Sequence, residues 1–308
     1  MTEGVETLRR QQIELIRKRK KRGRRLCLLL IVAVILILAF LYQIIVANRS
    51  FELSFYNCVS EKIENPVRLV HLSDLHEWEF GSGNKELVES IVALDPDLIL
   101  ITGDMVNGTD NDITSVLELC RTLVEVAPVY YQYGNHESML MRQKDESKRV
   151  PVDVLLKAEG IHFFYNDYVT LEVKGNHLAI AGISVNPENY EKWAEDMMEE
   201  FQKISAYKIL LTHYPALFYE LLYDADIDLA LSGHYHGGLI RLPDGRGLYH
   251  PDDGFFPRYS GGSYELGKGR LIVSRGLGNH GVIPRINNKP ELVVIDLVPR
   301  ERKEGDLP

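Results

Sequence analysis

Cysteine is scarce in this chain. The three in 308 residues are Cys27, Cys58 and Cys120. They are too few for a disulfide framework, and Cys27 lies inside an apolar run. Cys58 and Cys120 can pair in an oxidising compartment, but nothing in the sequence requires it. Basic residues are also sparse once the N-terminus is set aside. Residues 1–25 hold ten Lys/Arg and three Asp/Glu, while the rest of the chain keeps 25 basic against 41 acidic side chains. An acidic surface of that kind excludes nucleic acid as a partner, because such binding depends on neutralising phosphates. Charge is missing altogether from Leu26 to Ala47, "LCLLLIVAVILILAFLYQIIVA". No internal repeat appears beyond a strand–helix rhythm, and no feature points to an obligate protein partner.

The uncharged run is long enough, at 1.5 Å per residue, to cross a hydrocarbon core of about 30 Å. It directly follows "RKRKKRGRR" (Arg17 to Arg25). A cleaved signal peptide is the competing reading, but its apolar region normally runs only about 7–15 residues. The expectation is therefore an uncleaved transmembrane helix over 26–47 with a basic cytoplasmic segment, 1–25. The positive-inside bias then places everything after Ala47 outside the cytoplasm. The membrane position also accounts for the basic run without nucleic acid.

Residues 48–65 read as a tether and an edge strand, "FELSFYNC", with period-two alternation. From Pro66 the pattern becomes strand, helix, strand, helix, strand at a spacing near that of βαβ units, which predicts an α/β domain over 66–298. The apolar runs "VRLVHLSD", "PDLILITGD" and "PVYYQYGNHE" each end on polar residues. Functional groups in open α/β sheets collect beyond the carboxyl ends of strands, where Asp74, Asp104 and Asn135 fall. Later strands are predicted at 177–184, 207–215, 227–233 and 270–274, with "PELVVIDLV" closing the sheet and 299–308 forming a charged tail. In the segment 187–204, Tyr190, Trp193, Met197 and Phe201 recur at helical spacing and are expected in the core.

The strand ends carry D-x-H (Asp74, His76), G-D (Asp104), G-N-H-E (Asn135, His136, Glu137), T-H-Y-P (His213) and G-H-Y-H-G-G (His234, His236). Each is weak alone, since an Asp after a strand is commonly a helix cap. In this order they resemble the motif series of the calcineurin-like metallophosphoesterase family, over about residues 66–298. The loop patterns look most like its membrane-associated bacterial branch, which includes YkuE-like phosphodiesterases and UDP-diacylglucosamine pyrophosphatases. The resemblance implies a four-layer αββα sandwich. It implies that Asp74, His76, Asp104 and His236 hold one metal, and that Asp104, Asn135, His213 and His234 hold a second. His136 would protonate or stabilise the leaving oxygen, with Glu137 or a backbone carbonyl orienting its ring.

Two ions close together stabilise the attacking and leaving oxygens of an in-line displacement, and a bridging hydroxide would attack phosphorus. Only two of the seven ligands are anionic, so two divalent ions leave a positive surplus that draws a phosphate. The mixture of imidazole, carboxylate and amide favours Mn, Fe or Zn. Arg275 and Arg285 are candidate phosphate clamps, because a guanidinium matches phosphate oxygens, or else structural ion-pair partners. His280 and His250 lie in glycine-rich loops as candidate substrate contacts, whereas His71, His162 and His177 read as structural. The expected activity is a membrane-anchored dinuclear phosphohydrolase, diesterase or pyrophosphatase before monoesterase. Its substrate would be phosphorylated, with lipid-linked and envelope compounds in view. The rival is a non-catalytic metal-binding interaction module on the same fold. Specificity is assigned to the loops 107–112, 139–149 and 244–269.

Overall fold

A computed structural model describes residues 2–47, 49–279 and 284–300. The chain forms two compact units, 1–46 and 47–308. The first is the helix α1, Thr2–Ala47. From Leu26 to Tyr42 its side chains are exposed on every face. A helix apolar all round is made for burial or for lipid, and the stretch Glu14–Tyr42 is long and apolar enough to cross a membrane.

The second unit holds two six-stranded sheets. The first has the order β1 (Glu52–Ser60), β14 (Glu291–Pro299), β2 (Val67–Leu72), β3 (Leu98–Ile101), β4 (Val129–Gln132) and β5 (His162–Phe164). The second runs β12 (Gly262–Leu266), β13 (Gly269–Val273), β9 (Leu229–Ser232), β8 (Tyr207–Thr212), β7 (Asn176–Ile183) and β6 (Asp167–Val173). β2 through β5 are parallel, and so are β7, β8, β9 and β13. The central strands are apolar on both faces, as strands covered on both sides must be. Leu69, Leu98, Leu100, Val293 and Ile295 point inward against Ile180, Ile209, Leu211, Leu229 and Leu231 of the other sheet. Their chain neighbours Val70, Ile99, Ile101 and Val294 point outward beneath α2 (Lys85–Leu94), α3 (Thr114–Val124) and α5 (Val152–Ala158). On the far side, Ala181, Leu210 and Ala230 pack under α7 (Glu195–Gln202) and a π-helical turn, Leu217–Leu222. The layers are therefore helix, sheet, sheet, helix.

Three sequence expectations change, and one left open is resolved. β14 does not close the sheet from outside. It lies between β1 and β2, antiparallel to β2, and its Val293–Leu297 core is wholly apolar apart from Asp296. The expected single helix over 187–204 breaks into a 3₁₀ turn, α6 (Tyr190–Trp193) and α7. Trp193 consequently leaves the core and is 58% exposed, while Tyr190 and Phe201 stay buried. His162, on the edge strand β5, and His177, near the start of β7, are both exposed. Cys58 sits between the sheets and Cys120 under the outer helices, both free, so they do not pair. The tail from 301 onward lies outside the described residues.

Truncating Leu211, fully buried between the sheets, to Ala should cost about 2–5 kcal/mol of unfolding free energy. Trp193→Ala should stay within about 0.5 kcal/mol. Urea melts of the two variants check the ranking.

Candidate metal centre

The parallel strands of both sheets end on one rim, and the loops beyond them hold one another through backbone hydrogen bonds. Asp74 N donates to Gly103 O at 2.9 Å, His76 N to Asp104 O at 3.0 Å, and Gly233 N to His213 O at 3.3 Å. To turn so sharply after an extended strand, five of the expected ligands adopt left-handed backbone: Asp74 (φ 53°), His76 (48°), Asp104 (52°), His234 (70°) and His236 (47°). Each costs on the order of 1–3 kcal/mol for a residue with a Cβ, and such strain concentrates at functional sites. Two glycines let the loops close this tightly. A Cβ at Gly134 would lie 2.2 Å from Asp104 Oδ1, and one at Gly233 would lie 1.9 Å from Ser73 Oγ.

All seven expected ligands converge. His76 Nε2 is 3.1 Å from His236 Nε2, and His236 Nε2 is 3.5 Å from Asp74 Oδ1. His213 Nε2 lies 3.2 Å from Asp104 Oδ2, 3.0 Å from Asn135 Oδ1 and 3.0 Å from His234 Nδ1. Asp74, His76 and His236 form one possible cation cage, and Asp104, His213 and His234 another.

Whether these groups fit a cation is decided by where their protons are held. His213 Nδ1 donates to the Thr102 carbonyl at 2.8 Å, and His234 Nε2 donates to the Asp252 carboxylate at 2.6 Å. In the neutral rings, the lone pairs of His213 Nε2 and His234 Nδ1 therefore face each other, with the Asn135 and Asp104 oxygens beside them. Buried lone pairs that crowd together require a positive centre, and these are divalent-ion donors with the outer-shell partners typical of metal-bound histidine. Among the side chains alone, burial opposes charge on Asp104, yet His213, His76 and His136 hold its carboxyl well below the ordinary carboxylate range. Burial likewise opposes charge on His213, but Asp104 and Asp74 lift it to about 9.

Supporting contacts reach one layer further. His71 Nε2 is 2.7 Å from Thr102 Oγ1, which donates to Ser73 Oγ at 2.9 Å, which donates to Asp74 Oδ2 at 2.6 Å. With the Thr102 proton committed to Ser73, His71 must donate into this relay. Burial keeps it neutral, with its pKa down at about 3. Glu137 does not orient His136. Its buried carboxylate accepts from Asp104 N (2.9 Å), Met105 N (2.9 Å), Gly134 N (2.8 Å) and Tyr131 OH (2.7 Å), tying the loops after β3 and β4 together. The His136 ring is held instead by the Gly108 N–H, which donates to Nδ1 at 2.8 Å, and its Nε2 lies 3.8 Å from Asp104 Oδ2.

The two arginines are occupied structurally. Arg275 pairs with Glu291 at 3.0 Å and with Glu52. Arg285, 1% exposed, donates to the Gly278 and Arg275 carbonyls, and its guanidinium lies 3.2 Å from His236 Nδ1. His280 lies outside the described residues. His250 is buried with its ring 4.8 Å from that of His234. Asp252 and His71 escaped sequence reasoning. Asp252 sits in an irregular stretch, and His71 looks like any strand residue.

Residues 67–238 match a family model described as calcineurin-like phosphoesterase. The chain is 28% identical over 285 residues to the uncharacterized metallophosphoesterase YkoQ of Bacillus subtilis, covering 84% of this chain and 94% of that protein. It is 26% identical over 240 residues to the phosphodiesterase YaeI of Escherichia coli, covering 76% and 83% respectively. A transmembrane protein with metallophosphoesterase domain from Danio rerio is 26% identical over 249 residues, covering 76% of this chain and 53% of that protein.

The raised His213 group fixes a pH dependence. Its stabilising contribution is complete below the ordinary imidazole value of 6.5 and disappears as pH rises through about 9. After exhaustive chelation, the melting temperature should therefore fall across that window. Added Mn²⁺ should raise it more at the alkaline end, where no proton has to leave. A flat profile, or one unaltered by His213→Gln, contradicts the assignment.

Proposed function

The chain belongs to the calcineurin-like phosphoesterase family, and on that premise we propose that it is a metal-dependent hydrolase of phosphodiesters held at a membrane by α1. Asp74, His76, Asp104 and His236 would hold one ion, and Asp104, Asn135, His213 and His234 a second. When bound, such a pair supplies Lewis acidity and a water of lowered pKa. The donor set favours Mn, Fe or Zn.

The observation that carries the reading is the state of His136. The Gly108 N–H donates to its Nδ1, so the neutral ring keeps its proton on Nε2, the nitrogen directed toward Asp104 and the cleft. A module that merely stored cations has no use for a proton donor there. Because Nδ1 is already an acceptor, the ring acts as a neutral hydrogen-bond donor to the leaving or non-bridging oxygen. It does not act as an imidazolium. Gly108 fixes that tautomer, and Glu137 fixes the loop that carries Asp104.

The choice of a diester follows from charge. A cleft of about 250 Å³ is lined by Asp104, Asn135, His136, His234, His236, Leu239, His250, Pro251 and Asp252, with no Lys or Arg among them. The neighbouring opening adds Glu188, Glu220 and Asp253. Beyond what the two ions would neutralise, the extra charge of a dianionic monoester or a pyrophosphate would meet carboxylates without an arginine fork, since Arg275 and Arg285 are engaged elsewhere. A phosphodiester brings one negative charge. The likeness to a bacterial phosphodiesterase supports the same choice.

The basic run before the apolar helix supports an uncleaved single-pass anchor with residues 1–25 in the cytoplasm and the hydrolase domain outside. From that position, lipid-linked or envelope phosphodiesters are the nearest substrates. A reporter that works only in the cytoplasm, fused after Pro308, should stay silent.

With bis(p-nitrophenyl) phosphate and Mn²⁺, the full chain in detergent should turn over. Asp104→Ala should abolish turnover. His136→Ala should lower kcat by roughly 10²–10³, the loss typical of one oxyanion donor, and His136→Gln should recover part of it. Metal retention without turnover on any diester, monoester or pyrophosphate would support the non-catalytic alternative.

A further inference from the structure

The segment around the cleft contains a small hairpin, β10 (Tyr249–His250) and β11 (Gly254–Phe255), whose two faces differ in chemistry. On one face His250 packs on His234, and the turn residues Pro251 and Asp252 line the cleft. Asp253 is also directed inward, accepting from Tyr235 OH at 2.9 Å. The opposite face carries Tyr249 and Phe255, paired across the strands with ring centroids 5.2 Å apart, and Phe256 follows. These three are 40%, 71% and 49% exposed. Alternation along the strands separates Tyr249 from His250, and Phe256, past the strand in left-handed backbone (φ 59°), keeps its ring 6.3 Å from that of Phe255, so the side chains nearest the metal ligands are backed by an exposed aromatic cluster.

The domain receives its chain on the same rim. β1 begins at Glu52 in register with Glu291, at the end of the sheet where β2 finishes. Phe51 packs on Phe80, in the loop after β2, with centroids 5.0 Å apart. Glu52 and Glu291 share Arg275, and Glu291 N donates to the carbonyl of Gly276, a residue packed against Asp74. The residues that follow the apolar helix therefore join the domain beside the metal ligands.

We infer that the aromatic face of the 249–256 hairpin, Tyr249, Phe255 and Phe256, docks into the interface of the bilayer that α1 enters. Aromatic rings favour that interface because they offer an apolar body at headgroup depth. Charge selects the same patch. The domain as a whole is strongly acidic, whereas Arg246 over the Phe256 ring is balanced by Asp244. The hairpin's own carboxylates, Asp252 and Asp253, are held on the cleft side by His234 and Tyr235, which leaves the aromatic face itself without net charge. The inference rests on the anchoring part of the proposed function and not on the hydrolysis.

The test uses the full chain with Cys27→Ser, reconstituted in phosphatidylcholine nanodiscs and in discs enriched in phosphatidylglycerol. A nitroxide is placed by Phe255→Cys, or in a second protein by Tyr249→Cys. References are Lys203→Cys, at the opposite rim just before β8, and Ile35→Cys in α1. Power-saturation EPR should show a several-fold lower ratio of nickel-chelate to oxygen accessibility at 255 and 249 than at 203 in both lipids. Phe256→Ser should erase that contrast. Equal ratios at 255, 249 and 203 with position 35 in lipid overturn the docking and leave the anchor intact. Solvent-like values at position 35 overturn both. A contrast seen only in anionic discs also overturns it, because charge would then be acting rather than aromatic insertion. Turnover of bis(p-nitrophenyl) phosphate by the same labelled proteins reports separately on the hydrolase.

Discussion

Everything at the C-terminal rim depends on lone pairs that have been made to face one another. The Thr102 carbonyl and the Asp252 carboxylate accept from the outer nitrogens of His213 and His234, so in the neutral rings the inner nitrogens are bare, 3.0 Å apart, with carboxylate and amide oxygens alongside. No packing arrangement of neutral protein makes that favourable. It becomes favourable around positive charge, and the left-handed turns at Asp74, His76, Asp104, His234 and His236 are strain the cation would offset.

The fold supplies the leverage to hold that strain. Both sheets bury apolar side chains on two faces, and the loops at their ends inherit that rigidity. Glu137 couples two of the loops through three backbone N–H groups, and the relay from His71 through Thr102 and Ser73 stiffens a third. Such outer contacts hold ligands to the tolerance that metal chemistry needs.

Much of this was legible in the sequence. The spacing of Asp74, Asp104 and Asn135 along successive apolar runs gave both the βα rhythm and the strand ends, and the motif series picked out all seven groups that converge. What the sequence could not disclose are contacts between segments far apart in the chain. Asp252 meets His234 from an irregular hairpin, Arg275 is claimed by Glu52 more than two hundred residues away, and Arg285 is consumed by carbonyls. Residue type left both arginines as phosphate clamps or structural partners, and their contacts are of the second kind. Trp193 failed for a local reason, because a break before Ala194 ends the helical period on which its burial was inferred. β14 failed for a topological one. An apolar run at the chain's end carries no mark that it will insert beside the first strand.

The occupied arginines and the aromatic hairpin bear on one question, how a substrate reaches the metal ligands. With no Lys or Arg among the described residues that line it, the cleft leaves the attraction of an anion to the ions it would hold, and the acidic domain surface opposes approach from bulk water. Confinement beside the membrane would offset that opposition. If the rim that carries the ligands also lies against the lipid that α1 enters, a phosphodiester held in or on the bilayer reaches the cleft by lateral diffusion, and the acidic exterior keeps soluble phosphates away. On this view the scarcity of free cations at the site and the apolar helix at the N-terminus are two parts of a single device for selecting substrate.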